Sequence, residues 1–107
     1  MTAEQKRSAD IARSRIKEIL ASCRKAAGKV AALFRISDQM ERQARRVARQ
    51  RDRAPVCRRL RLGLVAAEFE RIGAQAVVAA FLVDSDRAIA HLLAKLPTRR
   101  LRRSTQY

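Results

Sequence analysis

The stretch Met40 to Val83, MERQARRVARQRDRAPVCRRLRLGLVAAEFERIGAQAVVAAFLV, decides how this chain folds. Strong helix formers fill it, and a single proline, Pro55, interrupts it. The residue before a proline is pushed away from helical geometry and proline suits a first helical turn, so Ala54-Pro55 predicts a turn between two helices. Before the turn, at about 100° per residue, Arg42, Arg45, Arg46, Arg49 and Arg53 fall within about 100° of one another, with Met40, Ala44 and Val47 opposite. These arginines form a one-sided stripe. After the turn, a second long helix opens with Arg58, Arg59 and Arg61, carrying the basic surface across Pro55. It then grows apolar through Leu60, Leu62, Leu64, Val65, Phe69, Ile72, Val77, Val78, Phe81 and Leu82. That pattern predicts its C-terminal half as the most buried element of the chain.

Towards the N-terminus, a first helix is expected to start near Ser8 or Asp10. Ile16, Leu20, Cys23, Ala27, Val30 and Phe34 follow one another at steps of four, three, four, three and four, the alternation of a coiled-coil seam. Asp38 and Glu41 have capping-box spacing, which predicts a kink or break near Ser37. Towards the C-terminus, Asp84-Ser85-Asp86 supplies a stop and a new N-cap, and Ala88 to Leu96 reads as a short helix closed by Pro97. Residues 98–107, TRRLRRSTQY, read as a disordered basic tail carrying Arg99, Arg100, Arg102 and Arg103. The expected architecture is all-α: one domain over 1–97, built as a long antiparallel helical hairpin with a short third helix and coiled-coil-like packing.

Composition bounds the function. The chain has 107 residues, with 25 Lys and Arg against 10 Asp and Glu, a net charge of +15. Such a surplus repels itself in a compact monomer and is relieved by a polyanion. Twenty of the cations are Arg, whose planar donor fork suits phosphate, although a GC-rich genome also enriches Arg and Ala. The core is thin, because Ala supplies much of the apolar content, Trp is absent and the aromatics are Phe34, Phe69, Phe81 and Tyr107. Cys23 and Cys57 lack the spacing of a zinc set or disulfide framework and read as small core residues in a reducing compartment. The basic start has no apolar signal core, and the run Ile72 to Val83 is too short to span a bilayer, so a cytoplasmic protein is expected.

Between Arg42 and Arg61 nine Arg meet one acid, Asp52. A surface of that kind engages phosphates, whereas the bland reading is a solvated face or one matched to an acidic protein. Base reading is not expected, since a dense Arg stripe positions without specifying. Val30 to Val47 has part of the spacing of a helix-turn-helix, but Arg35 replaces the usual turn Gly and Glu41 a buried aliphatic residue. His91 is the sole histidine and reads as a boundary residue. Glu68 and Glu70 point apart on a helix and are expected to neutralise nearby Arg. No nucleophile, base or metal set converges, so no enzyme, cofactor or metal is expected.

The run Arg58 to Leu82, through Arg58, Arg59, Leu62, Gly63, Leu64, Val65, Gly73, Phe81 and Leu82, resembles the central stretch of small conjugal-transfer accessory proteins of the TraD type. The resemblance covers about a quarter of the chain. It implies a role in processing or transferring plasmid DNA and carries no catalytic residue. The extra N-terminal helix and the lack of a second Gly beside Gly63 depart from the pattern.

Together these readings predict a non-enzymatic nucleic-acid-binding accessory protein, with DNA ahead of RNA, that contacts phosphates through Arg42, Arg45, Arg46, Arg49, Arg53, Arg58, Arg59 and Arg61 and through the tail arginines. The competing reading is a helical interaction or assembly subunit, a homo-oligomer paired along the seam from Ile16 to Phe34. Membrane-surface binding is not expected, because Ala, Met and Val oppose the Arg stripe.

Overall fold

The computed structural model describes residues 1–96 and is all-helical over them. The expected tail, with Arg99, Arg100, Arg102 and Arg103, lies outside the described residues. Helix α1 spans Ala3–Ala21, α2 Ala26–Arg53, α3 Val56–Val83 and α4 Ser85–Ala94.

The first helix starts earlier than expected, because Thr2 and Gln5 form a capping box. The Gln5 amide donates to Thr2 Oγ1 (3.2 Å) and the Thr2 amide to Gln5 Oε1 (3.0 Å), satisfying two donors that a helix start leaves open. It also ends earlier, at Ala21. Ser22 Oγ donates to the Ile19 carbonyl (2.8 Å) and Lys29 Nζ to the Leu20 carbonyl (3.2 Å), which satisfies the acceptors of the last turn. The expected unbroken seam from Ile16 to Phe34 is therefore divided by the link at Ser22 to Lys25. Its ends Ile16, Val30 and Phe34 are buried within the chain, while Cys23 and Ala27 are exposed. Leu20 is exposed too, so only half of the 4-3 positions reach the core that α1 and α2 share.

No break occurs at Ser37. Helix α2 runs through it, which also overturns the helix-turn-helix reading of Val30 to Val47. The physical reason is packing: Ile36, Ser37 and Met40 are buried, and a side chain added at Gly73 of α3 would meet the Ser37 carbonyl at 3.4 Å and Met40 Cβ at 3.5 Å. Gly73 is thus the point of close approach between α2 and α3. Asp38, expected to cap a new helix, is instead on α2 and pairs with Lys95.

Pro55 behaves as anticipated, at the N-cap of α3. Helices α2 and α3 pack against each other through Val30, Leu33, Met40, Phe69 and Ile72, the largest fully buried side chains. Alanines at 66, 76, 79 and 80 fill the α3 side. Helix α1 lies over both, burying Ala9, Ala12 and Ile16. Ser8 and Gln43 hydrogen-bond through their side chains (3.0 and 2.7 Å), and Arg13 pairs with Glu68.

Asp84 ends α3 and begins α4, its carboxylate accepting from the Arg87 amide (3.2 Å) and from Arg87 Nε (3.1 Å). Helix α4 docks on α2 by stacking His91 on Phe34, with ring centroids 4.9 Å apart and planes 8° from parallel. Lys95 Nζ lies 5.1 Å from the centre of the same ring. His91 is the boundary residue its position suggested.

Two expectations about burial change. Cys23 and Cys57 are exposed free thiols instead of core residues. Cys23 falls in the link between helices, and Cys57 in the first turn of α3 on the side away from the core. The C-terminal half of α3 is buried along one side only, since Ala76 and Ala80 have no exposure while Val78 is 59% and Leu82 80% exposed.

Candidate nucleic-acid interface

Helix α2 carries the site because its two faces have separate jobs. Met40, Ala44 and Val47 are buried against the rest of the fold, and rotation by half a turn brings Arg42, Arg45, Arg46, Arg49 and Arg53 to the solvent. All five arginines are exposed. A shallow cleft runs between Arg42, Arg45, Arg46, Ala48, Arg49 and Asp52.

Acids do little to neutralise this face. Glu41 Oε2 lies 3.8 Å from Arg45, and both side chains are more than half exposed, which makes the pair weak. Asp52 lies 3.6 Å from Arg51, a residue outside the stripe. Among the described residues, Arg42, Arg46, Arg49 and Arg53 have no carboxylate within ion-pair distance. Their charge remains available to an anion.

The three α3 arginines are exposed as well, but they are not an extension of the stripe. At about 100° per residue, Arg58, Arg59 and Arg61 spread over about 160° around α3. They cluster with Arg51 and Arg53 near the turn at Pro55 instead of sharing a face with Arg42. Arg59 also serves the fold, since its Nε donates to the Ala54 carbonyl (3.1 Å) and closes the exposed end of α2. Helical phase does not single out Arg51. Its side chain lies across Gly63, where an added Cβ would meet Arg51 Cδ at 3.7 Å.

Glu68 confirms half of the expectation for the acid pair. It accepts from Arg71 (2.9 Å) and pairs with Arg13, whereas Glu70 has no such partner among the described residues. The Arg71 hydrogen bond holds the Glu68 carboxyl below its ordinary value of 4.5, with the charges of Arg71 and Arg13 adding to it and burial opposing. A lowered folded-state pKa stabilises the fold above the unfolded value and loses that contribution as pH falls through the folded one. Glu68→Gln is therefore expected to loosen α1 by at most about 1 kcal/mol at neutral pH, and by less at a pH well below the ordinary Glu value of 4.5, where the carboxylate takes up its proton. Urea titrations of both proteins at the two pH values check this. An equal deficit at both pH values would contradict it.

Among the described residues no group of three His, Cys, Asp or Glu is placed to hold a metal ion, and no helix is long and apolar enough to cross a membrane. Comparison of the chain with protein-family models, with curated proteins and with solved structures finds no match.

Proposed function

We propose that this protein binds the phosphate backbone of nucleic acid, DNA ahead of RNA, through the outer face of α2. The observation carrying this reading is that four of the five stripe arginines are exposed without a carboxylate partner, opposite a buried apolar face. Each phosphate contact releases condensed counterions, and this entropy gain drives association without reading sequence. Arg58, Arg59 and Arg61 add a second set of contacts at the turn, and the tail arginines, outside the described residues, a third. The spacing of contacts, with Arg51 beside Gly63 and Ser37 beside Gly73, supports an antiparallel α2–α3 hairpin that places this basic turn at its tip.

The resemblance of residues 58–82 to conjugal-transfer accessory proteins of the TraD type extends the proposal to an accessory, non-catalytic role on plasmid or other mobile DNA. Two exposed free thiols fit a reducing, cytoplasmic setting.

The test is a titration of single-stranded DNA, duplex DNA and RNA of equal length with the full chain over a range of salt. Binding to duplex DNA is expected to weaken with a log–log slope of about −4 to −5 if the five stripe arginines each neutralise one phosphate. No binding at low salt, or binding indifferent to salt, would overturn the reading.

A further inference from the structure

Helix α3 is apolar on two opposite sides, and the described residues cover only one. Against the core it sets Val65, Phe69, Ile72, Ala76 and Ala80. On the other side Val56, Leu60, Leu64, Val78 and Leu82 are between 59% and 80% exposed. Helices apolar all round are normally buried all round.

The exposed residues have an order of their own. Leu60, Leu64, Ala67, Arg71, Ala74 and Val78 follow at steps of four, three, four, three and four, which is the spacing of a seam between two helices. At about 100° per residue these six stay within about 80° of one another. The stripe thus runs along most of a helix 28 residues long, about 42 Å. Unlike the seam suggested by the N-terminal sequence, this one is unbroken and faces outward.

Charge selects both the occupant and its direction. The segment from Val56 to Arg87 is nearly balanced, with Glu68, Glu70, Asp84 and Asp86 against Arg58, Arg59, Arg61, Arg71 and Arg87, although the chain as a whole is strongly basic. The arginines 58, 59 and 61 stand at its start, while Asp84 and Asp86, with Arg87 beside them, leave its end net negative by one charge. Two copies side by side in the same direction would oppose arginine to arginine. Two copies in opposite directions bring the basic start of each α3 towards the acidic end of the other.

We propose that this face of α3 pairs with α3 of a second copy in antiparallel orientation. Leu60 then lies against Val78 of the second copy and Leu64 against Ala74, with the small residues Ala67 and Ala74 allowing close approach near the middle. Arg71 falls near the two-fold axis, where Glu68 and Glu70 of both copies surround it, and a charged seam position of this kind fixes register at some loss of affinity. The seam uses none of the stripe residues of α2, so the pairing and the proposed phosphate contacts can be tested by separate substitutions.

Sedimentation equilibrium of the full chain in salt high enough to screen its net charge tests the pairing. Wild-type protein is expected to have the mass of two chains. Leu64→Glu combined with Val78→Glu, at positions already exposed, is expected to raise the dissociation constant by roughly tenfold or more with helical circular dichroism unchanged. Direction is read in a Cys23→Ser, Cys57→Ser background oxidised with diamide. Leu60→Cys together with Val78→Cys is expected to give covalent dimers, and Leu60→Cys alone none. A wild-type monomer, a dimer unaffected by the two glutamates, or efficient cross-linking of Leu60→Cys alone would each overturn the proposal. So would a monomer that instead uses this face on anionic vesicles and loses that binding with the two glutamates.

Discussion

Replacing Arg42, Arg46, Arg49 and Arg53 together by alanine is expected to lower affinity for duplex DNA about a thousandfold at ~0.1 M salt. The salt slope is expected to fall by about 3.6, nearly one unit for each phosphate contact removed. These four are the stripe residues without an acidic partner, so their replacement strands no buried charge and breaks no ion pair of the fold. Alanine is also at least as good a helix former as arginine, which keeps α2 intact. Fluorescence anisotropy over a salt series measures both quantities. A slope unchanged by the four substitutions would place the phosphate contacts elsewhere, with Arg58, Arg59 and Arg61 at the turn as the next set to remove.

Phe69→Ala is expected to be the most damaging single substitution to the fold. Phe69 has no exposure and is the largest fully buried side chain, in a core many of whose members are alanines, too small to expand into the space it leaves. Truncating a buried Phe costs about 3–5 kcal/mol, whereas a domain of this size has about 5–15 kcal/mol in all. The variant should lose about a fifth or more of its stability, read as the urea midpoint at unchanged slope. A loss under about 1 kcal/mol would mean that the alanine-rich core collapses around the gap.

Local chemistry made several elements readable in the residues themselves. Pro55 marks the turn because its ring restricts Ala54, and Asp84 marks the α3–α4 boundary because its carboxylate reaches the Arg87 amide. The arginine stripe is legible from helical phase alone, since every residue from Arg42 to Arg53 lies on one uninterrupted helix.

What escaped the sequence depends on contacts between distant segments. Ser22 to Lys25 contains neither Gly nor Pro, and the 4-3 spacing crosses it unchanged, so one long helix and two helices sharing a core look alike. Thr2-Ala3-Glu4-Gln5 does carry a capping-box signature, and it is the available signal for the true start of α1. Asp38 and Glu41 have the same kind of spacing, yet Gly73 packed against Ser37 keeps α2 continuous there. Apolar residues lie on two opposite sides of α3, and only the structure tells which of them the described residues cover. The exposed cysteines follow from the same uncertainty about which helical faces meet.

The way α1 is fastened has a consequence for the order in which the molecule assembles. Helices α2 and α3 meet across a turn of two residues, so their first contacts close short loops. The polar ties of α1 join residues 35 and 55 positions apart, Ser8 to Gln43 and Arg13 to Glu68. Closing longer loops costs more chain entropy before any contact repays it, and α1 brings mainly Ala9, Ala12 and Ile16 to do so. The α2–α3 pair is accordingly expected to form before α1 docks on it, with φ-values near zero for Ala12→Gly and Ile16→Val.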